Sequence, residues 1–302
     1  MSPIRCVALS PAVDITYEAL ADGPLRLGGV NRPTTVHRRA GGKAANVARV
    51  VTALGGRSVL AAVVAGPTGR WYAEAAKAEG LDLDLVEADR GETRLCVTVL
   101  GEPAPTELYE PSAAPGHEAW AELVGREAAA EAAWTVVSGS APPGIGAGDL
   151  ALLVGAAARH RPVALDAHGS VVAEALAQAL PLRVLKVNRD EAAGLLGRPR
   201  DTDAERLCAG LASYADCPVV VVTCGADGAV AVDESRTPVR VEAGPLGPHP
   251  TGSGDAFLAA LVLALSQEEP LGVALERAGA AGTANAHAPT AGDVSRISPS
   301  GP

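Results

Sequence analysis

Short, continuous apolar runs alternate with longer Ala-rich stretches along most of the chain. The apolar runs are residues 4–9, 58–65, 134–138, 162–166, 183–187 and 218–223. Their length and Val/Leu content predict strands buried on both faces. Between them, residues 44–54, 70–79, 118–133, 149–159, 171–180 and 202–214 carry the composition and spacing of helices. This alternation predicts an α/β fold with a mostly parallel sheet covered on both faces. Ligands bind such sheets beyond the carboxyl ends of their strands.

Two regions break the rhythm. Residues 15–39 are polar and turn-rich. Residues 92–110 alternate, with Arg94, Cys96 and Thr98 set against Leu95, Val97 and Val99. Together they predict a small antiparallel β-sheet standing off the main one as a lid, its segments at about 12–39 and 92–111. No linker or repeat divides residues 1–302, so one domain is expected. The tail from Ala291 onward is expected to be loosely ordered.

Composition narrows the function. Apolar residues make up 48% of the 302 and aromatics only 3%, so the core is built from Ala, Val and Leu, and stacking platforms for single-stranded nucleic acid are scarce. A net charge of -10 argues against nucleic-acid or anionic-membrane partners and leaves a local basic pocket as the route to an anionic metabolite. Five cysteines without CxxC spacing suit a reducing cytosol. With no signal-peptide pattern and no apolar run long enough to span a bilayer, a cytoplasmic protein is expected.

Residues 249–255, His-Pro-Thr-Gly-Ser-Gly-Asp, precede the apolar stretch Ala-Phe-Leu-Ala-Ala-Leu-Val-Leu-Ala-Leu. This reads as a Gly-rich turn feeding a buried helix, whose first N–H groups and dipole suit a phosphate. Asp255 would repel that anion unless it has another task, and accepting a hydroxyl proton beside a transferring phosphoryl group is such a task. Gly41-Gly42-Lys43-Ala-Ala-Asn46-Val-Ala-Arg49 is the second Gly-rich helix start. Lys43 and Asn46 share a helix face there, suited to a polyhydroxylated or phosphorylated ligand. Asp14 follows the first strand, where a carboxylate accepts from sugar hydroxyls. Arg94 lies in the lid segment, where a guanidinium can clamp a phosphate. Polar or Gly-rich loops beginning at Ser138, Lys186 and Thr223 follow three further strands. No nucleophile elbow, zincin helix, Walker A loop or dinucleotide fingerprint is present, and the histidines show no metal-ligand spacing.

In this order, the motifs resemble those of the ribokinase/PfkB carbohydrate kinases. Gly41-Gly-Lys-x-x-Asn-x-Ala is similar to the N-terminal signature and Thr251-Gly-Ser-Gly-Asp255 to the C-terminal one. Ser-Pro-Ala-Val-Asp14, Thr93-Arg94, Thr106-Glu-Leu-Tyr-Glu-Pro and Ser138-Gly-Ser-Ala-Pro-Pro-Gly resemble the 1-phosphofructokinase and tagatose-6-phosphate kinase branch. The resemblance implies a three-layer α/β/α domain with a β-sheet lid, and ATP- and Mg²⁺-dependent phosphorylation of a sugar hydroxyl. It makes Asp255 the catalytic base, an Asp of ordinary low pKa sufficing, and the N–H groups of Gly252, Ser253 and Gly254 an anion hole. Asp14, Gly41, Gly42, Lys43, Asn46, Arg94 and Ser138 would bind the sugar or sugar phosphate. Lys186, Asn188 and Glu191 would attend the ATP phosphates, Glu191 holding Mg²⁺ through water. Thr223 and Gly225 would line the nucleotide site. Lids of this family often pair between subunits, which implies a homodimer through the lid.

Ser10, Cys96, Ala167-His168 and His249-Pro250 depart from the pattern, and the first three flank the sugar pocket. The acceptor is therefore read as a phosphorylated ketohexose, with an unphosphorylated sugar or nucleoside as the alternative. A non-catalytic sugar-phosphate- or nucleotide-binding regulator on the same fold is the alternative of another class.

Overall fold

The computed structural model describes residues 2–20, 23–101, 105–215, 217–245 and 247–295. Its main sheet has the strand order β13-β12-β11-β10-β9-β8-β1-β4-β5. The strands are β1 Ile4–Ala8, β4 Ser58–Ala65, β5 Asp82–Ala88, β8 Trp134–Gly139, β9 Val163–Ala167, β10 Val184–Asn188, β11 Val219–Thr223, β12 Ala229–Val232 and β13 Val239–Val241. Strands from β5 across to β11 are parallel; β12 and β13 close one edge antiparallel.

Two helical layers bury the strands. Helices α1 Lys43–Ala53, α2 Gly66–Ala78, α8 Ser253–Ser266 and α9 Leu271–Ala286 pack on one face, with Cys6, Leu60, Val136 and Val221. Helices α3 His117–Ala129, α4 Ala147–Ala158, α5 Gly169–Ala177, α6 Arg189–Leu195 and α7 Ala204–Tyr214 pack on the other, with Val7, Ala61, Val137 and Val222. Neighbouring residues of one strand thus serve opposite layers, which is why these strands read as continuous apolar runs.

Helix α8 is apolar all round because it is enclosed by α1, α9 and the sheet. Helix α9 has no strong amphipathic pattern and approaches its neighbours through small residues. A Cβ on Gly282 would stand 3.2 Å from the Ser253 carbonyl oxygen.

The small sheet joins β2 Ala12–Leu20, β3 Pro33–Gly41, β6 Arg94–Val99 and β7 Thr106–Tyr109 in the order β3-β2-β6-β7. The expectation that it is antiparallel needs correction, because its central pair, β2 and β6, is parallel. Both strands leave the carboxyl edge of the parallel sheet, β2 after β1 and β6 after β5, so they depart in the same direction. Asp14 pairs with Cys96 and Arg39, and Thr16 with Thr98 and His37, so one face of this sheet is polar.

The tail is also better anchored than its composition suggests. The Gly292 N–H donates to Asn285 Oδ1 (2.7 Å) and Val294 is buried; residues 296–302 lie outside the described residues.

At the amino ends of the strands, Glu127 of α3 is fully buried between two cations. Arg161 Nη2 lies 2.7 Å from Glu127 Oε2, and Arg5 donates to Oε1. Removing the carboxylate leaves Arg161 buried without its counter-charge and Arg5 with only the Asp84 carboxylate (2.8 Å). Glu127→Ala should therefore lower the urea unfolding free energy by about 3–5 kcal/mol while leaving the activity per folded molecule unchanged.

Candidate active site

The carboxyl edge of the main sheet and the first turns of α1 and α8 meet around Asp255. Gly252 caps α8 in the left-handed region (φ 85°), and a Cβ there would stand 2.6 Å from the Ala291 Cβ. Both facts favour glycine. The Ser253 N–H donates to the Pro250 carbonyl (3.1 Å) and the Asp255 N–H to the Gly252 carbonyl (3.1 Å). Among the described residues, the N–H groups of Gly252 and Gly254 have no such acceptor, so of the three N–H groups expected to face an anion these two are left to do so. Asn285 of α9, fully buried, fixes the turn by donating to the Thr251 carbonyl (2.8 Å) and to Ser253 Oγ (3.3 Å).

A buried ion-pair chain runs beside the turn. Asp166, at the carboxyl end of β9, accepts from Lys43 Nζ of α1 (2.8 Å) and from Lys186 Nζ of β10 (2.7 Å). A Cβ on Gly254 would lie 3.1 Å from Lys186 Nζ, so that glycine lets the ammonium approach the helix start. Burial pushes the Asp166 carboxyl up, but Lys186 and Lys43 together outweigh it and hold it below its ordinary value.

Asp255 accepts from Asn46 Nδ2 (2.8 Å) and is also buried. There, burial outweighs Lys43, Asn46 and Lys186, the Asp166 charge adds to the rise, and the pKa is pushed up to about 6. The ordinary low value expected for this carboxyl is thus displaced by its enclosure.

Asp14 projects from the polar face of the small sheet and accepts from the Gly42 N–H (3.4 Å). Desolvation raises it to about 6 as well, against the pull of that N–H and of Arg49. A Cβ on Gly41 would fall 2.0 Å from Asp14 Cγ, so Gly41 makes the room Asp14 occupies. Asp14 and Asn46 line a cleft of about 600 Å³, open mouth included, with Thr16, His37, Arg39, Cys96, Tyr109 and His249. Glu107 of β7 accepts from Thr251 Oγ1 (3.1 Å), joining the small sheet to the turn before α8.

Other expected residues lie further off. Arg94 shares the polar face of the small sheet but lines a neighbouring pocket with Ser10 and Ser112, and its Nη1 donates to the Glu110 carbonyl (3.4 Å). Ser138, next to last in β8, pairs with Asp166 in the sheet register, its Oγ buried without a partner. Lys43 is drawn to Asp166 rather than toward Asp14.

Asn188 and Glu191 cap α6 reciprocally: the Glu191 N–H donates to Asn188 Oδ1 (2.8 Å) and the Asn188 N–H to Glu191 Oε2 (3.0 Å). Thr223 and Gly225 border an exposed edge, where a Cβ on Gly228 would lie 2.0 Å from the Val241 carbonyl oxygen. Val241 lines an open groove with Gly244, Gly279, Thr283 and His287.

Two residues escaped the sequence reading. Asp166 has a legible signal, a carboxylate closing an otherwise apolar strand. Asn285 has none, because the turn residues it holds are 32 and 34 residues away.

The raised pKa of Asp255 has a definite sign. Its folded value of about 6 exceeds its ordinary 3.8, so the native state holds the proton more tightly. The ionised carboxylate therefore costs stability, a cost absent below pH about 4 and fully present above about 6. Asp255→Asn should raise the unfolding free energy at pH 8 by on the order of 3 kcal/mol. The gain should shrink to roughly a third of that at pH 4.5 in paired thermal melts, and further as the pH falls below about 4.

Comparison with known proteins agrees with this geometry. The model of the pfkB family of carbohydrate kinases matches residues 7–296. Phosphofructokinase-2 from Escherichia coli, solved with fructose-6-phosphate, is 26% identical with a TM-score of 0.85, covering 94% of this chain and 93% of its own. Two more distant structures share the fold. A possible 1-phosphofructokinase from Thermotoga maritima (21% identity, TM-score 0.81) covers 93% of this chain and 91% of its own. Ribokinase of Arabidopsis thaliana with ribose and ATP (21% identity, TM-score 0.74) covers 96% and 94%. A family match across nearly the whole chain, on a fold that gathers both signature motifs at one sheet edge, makes this protein a member of the PfkB carbohydrate kinases, phosphotransferases that act on sugars or sugar phosphates.

Proposed function

We propose that the protein transfers the γ-phosphoryl group of ATP to a hydroxyl of a phosphorylated ketohexose, of the fructose 1-phosphate or tagatose 6-phosphate type. The observation that carries this reading is the position of Asp255. It is a buried carboxylate in the first turn of α8, held by Asn46, which itself lines the cleft that contains Asp14. Asp14 accepts from sugar hydroxyls and orients the acceptor, and Asp255 takes the proton of the attacking hydroxyl late in transfer. The Gly252 and Gly254 N–H groups with Lys186 balance charge on the moving phosphoryl group.

Lys186, Asn188 and Glu191 face the donor phosphates, with Thr223 and Gly225 beside the nucleotide. The donor set fits Mg²⁺ bound chiefly through phosphate and water. No group of three His, Cys, Asp or Glu able to hold a metal occurs among the described residues, so the ion would rest on the donor phosphates, with Glu191 reaching it through water. When bound, the ion neutralises donor phosphate charge. The small sheet serves as a lid over the acceptor, with Glu107–Thr251 as its latch. Its far face aligns Val97 with the exposed Leu108, which supports pairing of two such sheets in a homodimer.

An unphosphorylated sugar or nucleoside as acceptor is favoured by one observation, the placement of Arg94 in the neighbouring pocket and not in the Asp14 cleft. An ADP-release screen across sugars, sugar phosphates and nucleosides, run on wild type, Asp255→Asn and Arg94→Ala, separates the readings. The proposal expects the highest kcat/KM with a ketohexose phosphate and a loss of at least about a thousandfold in kcat for Asp255→Asn. It also expects KM for that acceptor to rise at least about tenfold in Arg94→Ala. A sugar without phosphate as best substrate, with KM unmoved by Arg94→Ala, contradicts it.

A further inference from the structure

Asn46 is an amide, and an amide can present either its N–H₂ or its oxygen to a carboxylate. Something must decide, because the reversed amide would place two acceptors face to face. Arg49 stands one helical turn further along α1 and is buried. Its Nη1 donates to Asn46 Oδ1 (3.0 Å), while Asn46 Nδ2 donates to Asp255 Oδ2 (2.8 Å). A guanidinium has donors only, so it can hold the amide in just one orientation.

The guanidinium is itself pinned from three other directions. Nη2 donates to the Ala40 carbonyl (2.6 Å), next to the Gly41-Gly42 turn. Nη1 also reaches the Ala291 carbonyl (3.5 Å), in the loop packed against Gly252. Nε donates to Glu79, just beyond the end of α2.

We infer that Arg49 is a positioning residue for the reaction, which acts through Asn46 by locking the amide so that its N–H₂ meets Asp255. The inference rests on Asp255 being the base. The lock keeps Asp255 Oδ2 engaged and leaves Oδ1 to accept the hydroxyl proton. The charged and titratable groups around Asp255 are Lys43 on α1, Asp166 on β9, Lys186 on β10 and Asp14 on β2. Of these, Asp14 also feels the Arg49 charge, which Arg49→Met removes and Arg49→Lys keeps, so the Arg49→Lys profile isolates the effect of the amide.

The test is the pH profile of kcat/KM for the best acceptor of the screen. Arg49→Met frees the amide to turn its oxygen toward Asp255. Arg49→Lys keeps the positive charge and can serve Glu79 and Ala40 but lacks the second arm of the fork. Both should move the acid limb up by about one pH unit, with KM for ATP unchanged. In an Asn46→Ala background, neither should move it further. Glu79→Gln, which loosens the same guanidinium without touching Asn46, should lower the melting temperature and leave the acid limb in place.

An unmoved acid limb in a folded Arg49 variant overturns the proposal, and so does an equal shift in Glu79→Gln or an added shift in the Asn46→Ala background. Should Arg49→Met fail to fold, Arg49→Lys supplies the same measurement. Turnover surviving in Asp255→Asn is a separate result, which removes the base and with it the reading on which the inference rests.

Discussion

The site depends on keeping carboxylates charged where there is almost no water. Asp166 and Asp255 are buried at one edge of the sheet, and burial alone pushes both toward the neutral acid. Two lysines bound directly to Asp166 reverse that tendency for it. Asp255 has an amide as its direct partner and feels the lysines only at a distance, so its pKa stays raised. Two carboxylates in one enclosure are thereby set to different proton affinities, one fixed as a counter-charge and one poised to change state.

The backbone accommodates this arrangement at a few positions. Gly41 leaves space for Asp14, Gly254 admits the Lys186 ammonium, and Gly252 lets the turn before α8 lie against the loop at Ala291. Asn285 and Arg49 then tie that turn, α1 and the C-terminal loop into one unit. The desolvation gathered at this edge is offset by apolar layers on both faces of the sheet.

Much of this was legible in the sequence because it is local. The main strands reveal themselves as apolar runs, and Gly41-Gly42 and residues 251–255 reveal themselves because turn, glycine and polar residue are adjacent in the chain. The strands of the small sheet were placed, but the parallel pairing of β2 with β6 was not, since it is set by where the two strands leave the main sheet. Helix α9 went unread because its small residues serve close packing and leave no amphipathic stripe. Asp166 and Lys186 become a pair only when β9 and β10 lie side by side, and the relay from Arg49 to Asp255 joins residues 3 and then 209 positions apart. Sequence spacing shows the first of these steps and hides the second.

The central claim is that Asp255 is a buried carboxylate whose proton affinity has been raised by its surroundings. Carbon-13 NMR of aspartate-labelled protein, titrated in wild type and in Asp255→Asn, reads this directly. The account predicts a carboxyl resonance titrating with a midpoint near 6 that disappears in the variant. A lost resonance that instead titrates at the ordinary value of 3.8 would contradict it.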